Sequence, residues 1–222
     1  MAKKRKRRSR AGLIISLILS LVLIAVISLG LYWYMFANVK ALPGQWSRNI
    51  DITNNTVVNI TDYMREAAMG DEIDVASLVG QMNVKIILTV DKDGKWLQQV
   101  DFESYNNCER QAKNALKQAV EQLIKNRMEK SYIENDRSIE EMVKDTVGMS
   151  LDSYLDKYGP QIIVSYDSLQ NEYNIDTNYE ADRNTITFIS VEGDKSYEYA
   201  VANGMLAVDY GTESVIYHKE VE

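Results

Sequence analysis

The sequence predicts an α+β protein: an N-terminal transmembrane helix followed by an antiparallel β-meander of about eight strands, barrel-like in its closure and interrupted by a helical insertion. Three observations lead there. Residues 11–37 run for 27 positions without a charged side chain. Residues 84–102 and 176–219 alternate apolar and polar side chains with period two and carry Asp-Gly and Asn-Gly turn signals. Between them, residues 104–173 change to helical spacing.

The first element is set by charge as much as by apolarity. Lys3, Lys4, Arg5, Lys6, Arg7, Arg8 and Arg10 precede residue 11, and no acidic residue occurs before Asp51. The rest of the chain therefore holds 18 basic and 32 acidic residues, a balance of −14 beneath the overall −7. At 1.5 Å per residue the uncharged run would reach about 40 Å, more than a hydrocarbon core of about 30 Å. It exceeds the apolar segment of a cleaved signal peptide, so it is expected to remain as an anchor. Tyr32, Trp33 and Tyr34 would stand at headgroup level. The positive-inside rule then makes residues 1–10 a basic cytoplasmic tip, 11–37 the span and 38–222 an extracytoplasmic domain. The basic residues are read as topology and anionic-lipid contacts rather than as a nucleic-acid patch. Gly12, Ser16 and Ser20 form a small-residue stripe that could pair two spans as a homodimer.

The domain begins after a short linker, Ala41–Gly44. A first strand over 46–53 places Trp46, Arg48, Ile50 and Ile52 on one face, and 57–69 has helical spacing ended by Gly70. Val84, Ile86, Leu88 and Val90 pair across the Asp91–Gly94 turn with Trp96, Gln98, Val100 and Phe102. A long helix runs from about Ser104 to Tyr132 on a stripe of Tyr105, Cys108, Ala112, Ala115, Ala119 and Leu123. Ser138 and Glu141 make a capping box for a helix stopping near Gly148, and Ser150 caps another ended by Gly159–Pro160. Ile162, Tyr166, Leu169 and Tyr173 suit a helix, although Ile162–Val164 also suits a strand. Strands are expected at 176–181, 184–191, 195–202, 205–210 and 214–219, with Asn203–Gly204 turning one hairpin. Short connections favour antiparallel neighbours, and eight such strands can close on themselves and remove their edges.

Gly44-Gln45-Trp46 resembles the Gly-x-Trp signature of lipocalins, and Lys219 falls where that family often carries a basic residue over the tryptophan. The resemblance covers Gly44–Thr53 and roughly 176–219; the helical insert 104–173 departs from it. The whole layout also resembles single-span bacterial envelope proteins with lipocalin-like (calycin-like) ectodomains, a likeness that implies a location but no activity.

Chemistry-bearing patterns are sparse. His218 is the lone histidine and has no motif around it. No phosphate-cradling glycine loop occurs. Asp91-x-Asp93-Gly94 opens like a calcium loop but lacks the downstream ligands. Asp71, Glu72 and Asp74 read as loop carboxylates, and Cys108 on the helix stripe reads as a packed thiol. No catalytic residue, metal site or cofactor is assigned. The expectation is a non-enzymatic binding module for a small apolar ligand or an envelope protein partner, with Trp46, Trp96, Tyr197, Tyr199 and Tyr210 as candidate ligand-binding residues. The alternative is a structural or regulatory subunit docking through the span and the long helix.

Overall fold

A computed structural model describes residues 10–68, 73–130 and 137–220. Helix α1 covers Arg10–Ala41. The transmembrane helix expected at 11–37 is not borne out: among the described residues, no helix is long and apolar enough to cross a membrane. The described side chains of the helix include the run 21–33. Leu21, Ile24, Leu31 and Trp33 in that run are exposed. Lys3, Lys4, Arg5, Lys6, Arg7 and Arg8 lie outside the described residues, as do the side chains of Arg10, Gly12, Ser16 and Ser20. Asp71, Glu72 and the end of the long helix at Tyr132 also lie outside them.

The β-rich parts join into one closed antiparallel barrel in the order β1-β2-β3-β4-β5-β6-β7-β8. The strands are β1 (Gly44–Asp51), β2 (Asn83–Val90), β3 (Lys95–Val100), β4 (Ile175–Ala181), β5 (Thr185–Ile189), β6 (Lys195–Ala202), β7 (Met205–Asp209) and β8 (Ser214–Lys219). Eight strands in an up-and-down barrel are compatible with a lipocalin-like fold. Period two decides what lies inside: Val84, Ile86, Leu88 and Val90 of β2 are buried while the residues between them are half-buried. β1 begins at Gly44, where a linker was expected, and Gly44 takes φ +143°, open to glycine but to few other residues. At Gly94 the β2–β3 turn has φ +85°, and a Cβ there would lie 2.9 Å from the Tyr179 carbonyl oxygen. The seams are unequal. β1 and β2 pair over eight positions, from Gly44↔Val90 to Asp51↔Asn83. β1 and β8 pair at two, Trp46↔Lys219 and Ser47↔His218.

Between β1 and β4 the chain makes α2 (Thr53–Ala68), α3 (Val75–Val79), α4 (Phe102–Lys130), α5 (Ile139–Val147), α6 (Leu151–Tyr158) and α7 (Tyr166–Tyr173). Side-chain caps set their starts. Asp51 accepts from the Thr53 amide at 2.8 Å, and Asp101 accepts from Ser104, so α2 and α4 begin earlier than their apolar stripes suggest. Both bonds of the Ser138–Glu141 capping box form at α5. These helices cover one end of the barrel: Ile60, Met64, Val79, Cys108, Ala112, Leu116 and Ile162 form one core with Val84, Ile86 and Val100. A second core fills the barrel from Leu42 and Trp46 through Leu88, Trp96, Ile186, Leu206 and Val208. Loss of water contact at these side chains, at roughly 25 cal/mol per Å², is what holds strands and helices together.

Candidate functional site

The two barrel ends differ in how their polar groups are satisfied. At the end joined to α1, Trp46, Tyr179 and Tyr199 have structural tasks. Trp46 is fully buried and donates its Nε1–H to the Leu42 carbonyl at 2.9 Å. Lys219 Nζ lies over the Trp46 ring, 5.5 Å from its centroid, the placement that the lipocalin resemblance implies. The Tyr179 hydroxyl donates to Asp91 O at 2.9 Å and Tyr199 to Asp182 O at 2.8 Å, tying two turns to the wall. Asn38 of α1 donates to Arg183 O at 2.9 Å. Trp46 and Tyr199 therefore sit within the floor of the barrel.

Toward the helix-covered end the interior becomes polar and aromatic. Arg48 follows Trp46 by two residues, so strand alternation turns it inward too. Its Cζ lies 5.4 Å from the Tyr173 ring centroid and 5.5 Å from that of Tyr217, within cation–π range. The Tyr217 hydroxyl donates to Gln98 Oε1, and Gln98 Nε2 donates to the Tyr173 carbonyl, so β8, β3 and the end of α7 share one buried chain of hydrogen bonds. The aromatic set continues around the wall. Trp96 and Phe188 are 5.1 Å apart between centroids, Phe188 and Tyr197 5.6 Å, and Tyr197 and Tyr210 5.0 Å. Phe188, Tyr197, Tyr210 and Tyr173 are half-buried, and with Arg48 they rim a mouth. β1 and β8 have no register pair beyond Ser47↔His218, so the wall is least closed beside Arg48.

The electrostatics of the mouth are one-sided inside and balanced at the rim. Burial pushes the phenol of Tyr210 well above the ordinary tyrosine range, with Tyr217 beside it adding to the effect. Burial raises Tyr217 as well, with Arg48 partly offsetting it. Tyr173 is pushed up to about 12, first by burial and then by the neighbouring Glu172 carboxylate. These hydroxyls are donors at any physiological pH. Glu213, exposed in the β7–β8 turn, adds negative potential at Tyr173 and Tyr217.

Of the five residues expected to bind ligand, Trp96, Tyr197 and Tyr210 are brought together through Phe188, whereas Trp46 and Tyr199 stand at the floor. Arg48 was not a candidate, although its place on the Trp46 face is plain from alternation. His218 is exposed, opposite Ser47 on the barrel wall. Asp74 caps α3 through the Ser77 amide. Cys108 is buried with its thiol donating to Asn83 O at 3.3 Å, and burial raises its pKa, so its reactive thiolate form is disfavoured. Among the described residues no group of three or more His, Cys, Asp or Glu side chains could hold a metal ion.

A second concavity, a cleft of about 640 Å³, lies between α4, α6 and residues 160–165. Two ion pairs bridge its walls, Lys113 with Asp156 at 3.1 Å and Lys117 with Asp152 at 2.8 Å, contacts that raise both lysine pKa values. Comparison of the chain with family models, with curated proteins and with solved structures finds no match.

Proposed function

We propose that the chain is a binding module that takes a small, largely apolar ligand at the aromatic mouth of its barrel. The observation that carries this reading is the half-buried ring of Tyr173, Phe188, Tyr197 and Tyr210 around the Arg48 guanidinium. The deep interior is filled by Trp46, Trp96, Leu88 and Ile186, so the ligand meets the barrel at its rim and not beside Trp46. We further place the module at a bacterial cell envelope. Seven basic residues ahead of residue 11 attract anionic headgroups, and a remainder at −14 is repelled by them, which holds the barrel off the surface. The test is thermal unfolding of the full chain against envelope lipid and metabolite extracts. A ligand at 100 times its dissociation constant stabilises by about 2.7 kcal/mol, a shift of several degrees. Absence of any shift across all extracts overturns the ligand reading.

The α4–α6 cleft favours a second reading, a subunit docking a partner along the long helix. Crosslinking that recovers one stoichiometric partner, lost on Lys113→Glu but retained on Tyr197→Ala, would favour it over the mouth.

A further inference from the structure

The cleft between α4 and α6 is built differently from the barrel. One wall is a face of α4, where Tyr105, Glu109 and Lys113 recur at helical spacing beside Asn106, Arg110 and Asn114, over about 13 Å of helix. The other is α6 with the segment 160–165, which belongs to no helix or strand before Ser165 caps α7. At about 640 Å³ the cleft has the size of a small-molecule site.

Its charge is balanced. Lys113 reaches Asp156 at 3.1 Å and Glu109 at 3.5 Å, and Lys117 reaches Asp152 at 2.8 Å. With Arg110, which donates to the Asn107 amide oxygen at 2.7 Å, three basic side chains face three acidic ones. A ligand of either sign would meet as much repulsion as attraction. Hydrogen-bonding groups of both kinds nevertheless stand side by side. The Asn106 and Asn114 amides make no hydrogen bond among the described residues. Gln161 commits its Nε2 to the Ile163 carbonyl at 3.2 Å and keeps Oε1 as an acceptor. The main-chain N–H groups of the buried Ile162 and Ile163 also have no acceptor among the described residues, although buried main-chain donors are normally paired. Leu116, Ile162 and Ile163 give the same cleft a buried apolar lining.

We propose that this cleft binds a neutral oligosaccharide. Sugar hydroxyls donate and accept at once, which suits interleaved amides and carboxylates, and the C–H faces of the ring suit the apolar lining. The absence of net charge on the sugar matches the balanced walls. An extended peptide fits less well. Pairing with a strand edge needs main-chain donors and acceptors together, and the Ile162 and Ile163 carbonyls are already bonded, to Asn59 and Gln161. A second concavity, of about 440 Å³, shares Arg110 and Asn114, so the surface continues past one ring. This site is separate from the aromatic mouth and does not depend on it.

Cellotriose, maltotriose and chitotriose are titrated into the isotope-labelled full chain and followed by nuclear magnetic resonance, with trigalacturonate and triglucosamine as charged analogues and penta-alanine as a peptide. The expected result is saturable shifts of the Asn106 and Asn114 side-chain amides and of the Ile162 and Ile163 main-chain amides with at least one neutral trisaccharide. It should bind at least about tenfold tighter than either charged analogue. Asn106→Ala combined with Asn114→Ala should weaken that binding about tenfold or more. Both positions are exposed and alanine favours a helix, so the variant keeps its fold, which the remaining amide signals verify. Shifts at these four amides from penta-alanine alone assign the cleft to a protein partner and overturn the inference. Tighter binding of a charged analogue, sugar shifts confined to the barrel mouth, binding untouched by the double variant, or no shift with any neutral trisaccharide also overturn it.

Discussion

The two ends of the barrel are built from similar residues and come out differently. At the α1 end, the polar atoms of Trp46, Tyr179 and Tyr199 are each matched to a backbone carbonyl, and a lysine lies over the Trp46 ring. At the helix-covered end, the Arg48 Nε lacks such a match. The lesson is that aromatic content alone does not distinguish packing from recognition. What separates the two ends is whether the donors set among the rings are satisfied.

The sharpest way to break this comparison is Trp46→Ala. Removing a fully buried indole with its bond to Leu42 should cost about 3–5 kcal/mol, read as a large fall in the urea midpoint. If Tyr197→Ala at the half-buried rim costs as much, the contrast between ends is wrong. Next in size is Gly94→Ala at the closed end, about 2 kcal/mol, because the residue sits at φ +85° and a Cβ meets the Tyr179 carbonyl. Arg48→Met, which removes two cation–π contacts, should cost about 1–2 kcal/mol, and Tyr210→Phe less than about 1 kcal/mol, both read from the urea midpoint. Alkaline pH sharpens the point. Tyr173 has a pKa raised to about 12, so below the ordinary value of 10 both folded and unfolded forms keep the proton. Between those values only the unfolded chain ionises, and stability should fall from about pH 10 upward. Tyr173→Phe should flatten part of that fall in urea unfolding followed against pH. The smallest effect is expected at Lys117→Ala, within about 0.5 kcal/mol, because its bond to Asp152 is at the surface.

Much of the architecture was legible where a local rule acts on neighbouring residues. Asn203–Gly204, with φ of 52° and 73°, turns its hairpin as the dipeptide predicts, and the Ser138–Glu141 box opens α5. Boundaries slipped where a single side chain shifts them: Asp51 and Asp101 start α2 and α4 early, and Gly44 carries β1 back into the expected linker. The membrane-spanning helix was expected from a long uncharged run between a basic tip and interfacial aromatics, and among the described residues no helix is long and apolar enough to cross a membrane. Barrel closure could be guessed from strand count, but not its weakest seam, which depends on residues far apart in sequence. The mouth was half legible. Alternation puts Arg48 beside Trp46, yet that its guanidinium meets two tyrosine rings is a three-dimensional fact.

The two-rung join between first and last strands has a kinetic side. It closes the longest loop in the domain, so it is the costliest rung to zip during folding and the first to unzip. Amide protons near Asn49 and Ile216 should trade with heavy water well before those of Ile87 and Gln99, whose strands pair over five positions. A ring that breathes at one latch can let a guest slip past its rim while the rest of its staves hold still.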